Sequence, residues 1–209
     1  MREKKPVKKK VASPKSFKAY MMRTCSSDMT SYGGFKWPSS GEVIAHDWKN
    51  TTECGNGLHG LLWGEGDGSL LNWSEDAKWL VCGIDSWVEL YGKVKSEKAT
   101  VIYAGTRQEA TLLIGQLGGG KYTVCGGTAT AGDYGTATAG YSGTATAGYR
   151  GTATAGDGGT ATAGDGGIIL VKWWDGCRYR ITTGYCGENG IEPNKRYRCD
   201  NQGNLIEVA

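Results

Sequence analysis

Between Gly127 and Gly167 the chain repeats one eight-residue unit five times without a slip: GTATAGDY, GTATAGYS, GTATAGYR, GTATAGDG, GTATAGDG. A fixed short period calls for near-identical units stacked on one another. Within each unit the two threonines stand at i and i+2, and so do the two alanines. A strand sends alternate side chains to opposite faces, so both threonines share one face and both alanines the other. A helix would smear the four around its axis, and the flanking glycines would break it. The connectors Asp133-Tyr134, Tyr141-Ser142, Tyr149-Arg150, Asp157-Gly158 and Asp165-Gly166 are turn residues, with glycine expected to supply positive φ where needed.

Two arrangements satisfy this pattern, an antiparallel meander and a coil of two units per sixteen-residue turn. A meander strand buries two alanines, worth about 0.8 kcal/mol per CH₂-sized group. Ordering its backbone costs about 1–2 kcal/mol per residue. The coil is favoured because alanines from opposite arms meet inside it, and every strand bonds to the turns above and below. Ala129, Ala131, Ala137, Ala139 and their equivalents are expected inside. Thr128, Thr130, Thr136, Thr138, Thr144, Thr146, Thr152, Thr154, Thr160 and Thr162 are expected outside, in flat ladders that form a candidate binding surface. The reverse would bury hydroxyls, which is costly unless each is bonded. Ile168 to Lys172 occupies the next slot with large apolar residues, as a cap on the stack would. The Thr-x-Thr ladders and the sixteen-residue coil resemble those of β-solenoid ice-nucleation and ice-binding proteins. That resemblance implies a hydroxyl face that contacts ice or takes part in self-association. A calcium-binding solenoid is disfavoured, because the period is eight rather than nine and carboxylates are sparse.

Charge divides the chain. Residues 1–18 carry eight Lys/Arg and one acid, leaving 16 basic against 20 acidic residues for the rest. The arm, with Arg2, Lys4, Lys5, Lys8, Lys9 and Lys10, could contact nucleic acid or another polyanion. No apolar run approaches the ~18 residues of a membrane helix, and no apolar stretch follows the basic N-terminus as in a signal peptide. The expectation is therefore a cytoplasmic location, or a virion if phage-encoded, without a membrane partner and with reduced thiols. The seven cysteines (Cys25, Cys54, Cys82, Cys125, Cys177, Cys186, Cys199) form no C-x-x-C pair. No metal site and no cofactor is expected.

The organisation expected is a basic arm (1–15), an α+β domain (16–120), an octapeptide β-solenoid (121–171) and a small β cap (172–209). Ser74 before Glu75-Asp76 reads as an N-cap opening a short helix. Trp87 to Lys95 and Thr100 to Ala104 alternate as strands. Thr106 to Glu109 is a capping box that opens a helix to about Leu117, stopped by Gly118-Gly119-Gly120. The segment from Gly115 to Lys121 has phosphate-loop spacing, but it follows a helix and lacks the Ser or Thr after the lysine, so it reads as a helix stop. Beyond the repeat, four further strands are separated by Asp/Asn-Gly turns.

Cys54-Gly-Asn-Gly-Leu-His59 is the densest chemical motif. His59 is either a structural histidine or an acid–base residue oriented by Glu65 or Asp67. The layout of this motif ahead of GTATAG units resembles uncharacterised proteins of bacteria and their phages that carry a Cys-x-x-Gly-Leu-His motif, which implies a phage or mobile-element origin. The leading expectation is a non-enzymatic structural or interaction protein, presenting a rigid scaffold to protein partners or to itself. The alternatives are a nucleotide-directed enzyme using His59, and a self-associating or ice-binding-like Thr-ladder protein.

Overall fold

The computed structural model describes residues 16–208, so the basic arm residues Arg2, Lys4, Lys5, Lys8, Lys9 and Lys10 lie outside the described residues. The described chain is rich in strands arranged in several sheets, with little helix.

The N-terminal half contributes β1 (Ala19–Cys25), β2 (Gly41–Ile44), β3 (Leu58–Leu62), β4 (Lys78–Ile84), β5 (Val88–Leu90), β6 (Lys93–Ser96), β7 (Lys98–Gly105) and α1 (Arg107–Leu117). The strands form one antiparallel sheet in the order β2-β7-β4-β1-β3-β6-β5. Met21, Leu80, Cys82 and Val101 pack on one face beneath Trp37 and Val43. Met22, Leu61 and Val81 pack on the other against Ala110 and Ile114 of α1. The helix opens as its capping signal requires, with Thr106 Oγ1 accepting from Glu109 N at 3.3 Å. It stops at Gly118, and Gly119 and Gly120 follow at φ 63° and 70°.

Two local expectations fail. Ser74 opens no helix: its carbonyl accepts from Ala77 N at 3.1 Å in a single turn, and β4 follows at once. β4 runs between β1 and β7, and six of its seven residues are buried. That demand on both faces outweighs an isolated cap. The alternating run from Trp87 to Lys95 is also two strands rather than one. It breaks at Tyr91-Gly92, where Gly92 turns the chain at φ 71°.

The repeats form β8 (Thr128–Ala131), β9 (Thr136–Ala139), β10 (Thr144–Ala147), β11 (Thr152–Ala155) and β12 (Thr160–Ala163), followed by β13 (Ile168–Trp174). They do not fold back as hairpins. Each strand pairs in parallel with the one sixteen residues away: β10 lies between β8 and β12, and β11 between β9 and β13. The register is strict, with Thr144 beside Thr128 and Thr160, and Ala145 beside Ala129 and Ala161. Two parallel sheets therefore face each other across a core of alanines. Ala145, Ala153, Ala155, Ala161 and Ala163 are fully buried, and Ile169 and Val171 continue that core. Backbone bonds also join the turns, as from Tyr134 N to Tyr149 O at 2.8 Å and from Ser142 N to Asp157 O at 2.8 Å.

The glycines on either side of each connector have a role different from the one expected. Positive φ falls on the second connector residue, whatever its type. Apart from Gly132, the flanking glycines are places of close approach: a Cβ on Gly156 would lie 2.5 Å from the carbonyl of Gly140, sixteen residues earlier, and one on Gly143 2.9 Å from the Cβ of Ala139.

Both ends of the array are covered. At its start, Cys125 N donates to Gly64 O at 2.9 Å, and the Tyr141 ring meets Trp73 at 5.6 Å in the core beneath α1. At its end, β14 (Tyr179–Tyr185) pairs antiparallel along β13, and β15 (Arg196–Cys199) with β16 (Leu205–Val208) continues the other sheet beyond β12. Tyr197 closes the alanine core there, 3% exposed.

Candidate functional site

The alternation of Thr and Ala on strands locked by backbone bonds sets the threonines on the two outer faces. One sheet carries three rungs, Thr128/Thr130, Thr144/Thr146 and Thr160/Thr162. The other carries two, Thr136/Thr138 and Thr152/Thr154, before Ile168 and Leu170 take the next position. Rungs of one sheet are spaced by about 4.8 Å and the two threonines of a strand by about 6.7 Å. The hydroxyls of Thr160 and Thr144 bond each other at 3.3 Å, which fixes the rotamers of that pair. Threonines of β8 and β9 are exposed, whereas those of β10, β11 and β12 are partly shielded. Tyr134 and Tyr149 meet edge to face at 5.6 Å along the line of turns beside these faces.

The His59 constellation assembles differently from the expectation. Glu65 does not reach His59: its Oε1 accepts from Thr123 N and from Thr123 Oγ1, each at 2.6 Å, and so ties the repeat array to the sheet. Asp67 caps a turn, accepting from Ser69 N at 3.0 Å and from Ser69 Oγ at 2.6 Å. His59 instead shares a cleft with Cys54, Arg23 and Lys93. Burial, reinforced by the Lys93 charge, lowers its pKa below the ordinary histidine value. Lys93 Nζ lies 3.1 Å from Cys54 Sγ and lowers that thiol's pKa. Arg23 and Lys93 carry no motif, and the one signal that could have marked their neighbourhood was the run Lys93-Val94-Lys95. Lys95 is fully buried and donates to the carbonyls of Glu53 at 2.8 Å and Gly55 at 3.2 Å, which fixes the Cys54 loop.

Among the described residues no group of three or more His, Cys, Asp or Glu is placed to hold a metal, and all seven cysteines are free. None of the described helices is long and apolar enough to cross a membrane.

Residues 19–113 match a domain of unknown function, DUF7666. The chain is also similar to bacterial ice nucleation proteins. It is 38% identical to ice nucleation protein InaU of Pantoea ananas over 104 residues, 48% of this chain and 10% of that protein. Against the ice nucleation protein of Pseudomonas syringae the identity is 39% over 101 residues, 46% of this chain and 9% of the relative. Against that of Xanthomonas campestris pv. translucens it is 39% over 97 residues, 44% and 6%. The chain thus spans about a tenth or less of the length of these curated relatives. No solved structure matches it.

The similarity supports the ice-nucleation resemblance of the repeat. It gives no support to a phage origin or to the Cys-x-x-Gly-Leu-His grouping. It also overturns the expected location, since the relatives are bacterial ice nucleation proteins rather than cytoplasmic or virion components.

Proposed function

We propose that the repeat array is a short β-solenoid and that its threonine faces bind ice, holding water in an ordered layer. The observation that carries this reading is the strict sixteen-residue register, which sets identical Thr pairs one above another on flat parallel sheets. A hydroxyl and a methyl repeat on each threonine at fixed spacing, so water meets a regular alternation of hydrogen-bonding and apolar points. The lattice is held by backbone bonds before water arrives, so little conformational entropy is lost on binding. Similarity to ice nucleation proteins supports the same reading. The three-rung face extends only about 10 Å along the stack. That suits adhesion to ice already present better than templating a new crystal, which needs a larger ordered area. A non-catalytic role is compatible with this surface, and the segments 16–120, 121–171 and 172–209 are read as its supporting domain, array and cap. Self-association through the threonine faces would enlarge the ordered area. Sedimentation of the full chain against one lacking two repeat units tests it, and a monomeric mass for both would remove it.

The test is partition into slowly growing ice, together with inhibition of recrystallisation. The full chain is expected to enrich in the ice fraction. Thr146→Lys, in the central strand of the three-rung sheet, is expected to remove most of that enrichment with unchanged circular dichroism. Thr154→Lys tests the second sheet in the same way. A wild-type chain excluded from ice to the same extent as both variants would end this reading.

A further inference from the structure

The seven-stranded sheet has a defect that the ice-binding reading leaves unused. β1 and β3 are paired at Met21–Leu62 and Met22–Leu61, and Trp63 N donates to Tyr20 O at 2.8 Å just outside β3. Beyond these, β1 continues along β4 as far as Cys25–Lys78, while β3 pairs with β6 from Gly60–Val94 to Leu58–Ser96. The two strands splay apart, and a cleft of about 800 Å³ opens there, the size of a small-molecule site. Arg23 bridges the gap. Its Nη1 donates to His59 O at 3.2 Å and its Nη2 to Thr24 O at 3.4 Å, and the guanidinium lies 4.0 Å over the buried Trp37 ring.

We propose that this cleft between β1 and β3 binds a small anion carrying a flat ring, of the nucleoside-monophosphate kind. Arg23 has no carboxylate partner among the described residues, and its buried Nε has no hydrogen-bond partner. A partly desolvated guanidinium without a counter-charge is unfavourable, and an anion beside it relieves that cost. The buried Nδ1 of His59 is likewise unpartnered. Lys93 adds a second cation at the wall, and among the described residues Asp47 is the only carboxylate lining the cleft. The remaining wall is apolar and aromatic, with Phe35, Leu58, Leu61 and Leu70 beside Trp37. At the mouth the Tyr32 ring is fully exposed, at 102%, and free to stack on a ligand ring. Cations and apolar rings thus line the same cleft, with Arg23 itself stacked on Trp37, as a ring-bearing anion requires.

The experiment is calorimetric titration of the full chain with three probes: adenosine 5′-monophosphate, adenosine and inorganic phosphate. The monophosphate is expected to bind, and each half-probe to bind about tenfold more weakly or worse, by the worth of one charged hydrogen bond. Lys93→Gln is expected to weaken the monophosphate by about the same factor while leaving adenosine unchanged. Tyr32→Ala should weaken monophosphate and adenosine alike and leave phosphate unchanged. Both side chains stand at the cleft's surface, and an unchanged melting temperature verifies folding of each variant. No heat with the monophosphate, equal affinity for phosphate alone, or indifference to Lys93→Gln overturns the proposal.

Discussion

The second residue of each connector in the repeat array sits at positive φ: 58° at Tyr134, 49° at Ser142, 49° at Arg150, 67° at Gly158 and 63° at Gly166. Glycine tolerates this conformation freely, whereas an L side chain loses about 1–2 kcal/mol there. Ser142→Gly should therefore stabilise the chain by up to about 1 kcal/mol, after the larger entropy that glycine brings to the unfolded chain. A higher urea midpoint with an unchanged slope is the expected result, and a lower midpoint would show that the serine side chain outweighs the strain. A second residue-scale effect concerns Cys54. Lys93 holds its pKa below that of an ordinary thiol, while burial pushes Cys82 up to about 12 and Cys125 to about 11. Alkylation follows the thiolate, so Cys54 should react first, from a lower pH than an unperturbed cysteine. Lys93→Gln should move its rate–pH midpoint upward, as mass spectrometry of alkylation across pH would record. Superimposable profiles for the two proteins would refute the contact. None of this was legible in the sequence, because Lys93 stands 39 residues from Cys54 and only the fold brings them together.

Elements were legible where local chemistry and tertiary demand agree. The Thr106–Glu109 box marks the start of α1, and the following glycines mark its end. Thr-Ala alternation marks β8 to β12 and the face each side chain takes. The cap signal at Ser74 misleads because it uses only near neighbours, whereas β4 answers to β1 and β7 on either side. The corner glycines carry the same lesson. Their sequence context suggests turn flexibility, yet the reason Gly156 must be small lies sixteen residues earlier, in the backbone of Gly140. Gly156→Ala should therefore cost about 1–3 kcal/mol, as overpacking does, although the backbone at that position suits alanine. Thermal unfolding measures it, and a loss below that range would mean the coils can separate slightly without penalty.

At the scale of the molecule, the periodic array was readable because one rule, repeated, sets register, core and surface together. The aperiodic half was not. Its cleft arises from a change of strand partner, and no spacing between residues 23, 59 and 93 encodes that. The same contrast separates the two proposals: the threonine faces depend on regularity, and the cleft on one interruption of it.

The array is built from eight-residue steps, but each strand pairs with the one sixteen residues away. Inserting one extra unit would exchange the parallel sheets that the C-terminal strands β14 and β15 now continue. Inserting two would restore the original pairing, one strand spacing, about 4.8 Å, farther along. Labels on the exposed thiols Cys54 and Cys177 would read the difference as a distance that alternates with the parity of the unit count. Repeat number in such a chain thus acts as a dial as well as a ruler, and lengthening by even steps alone preserves what the two ends present to each other.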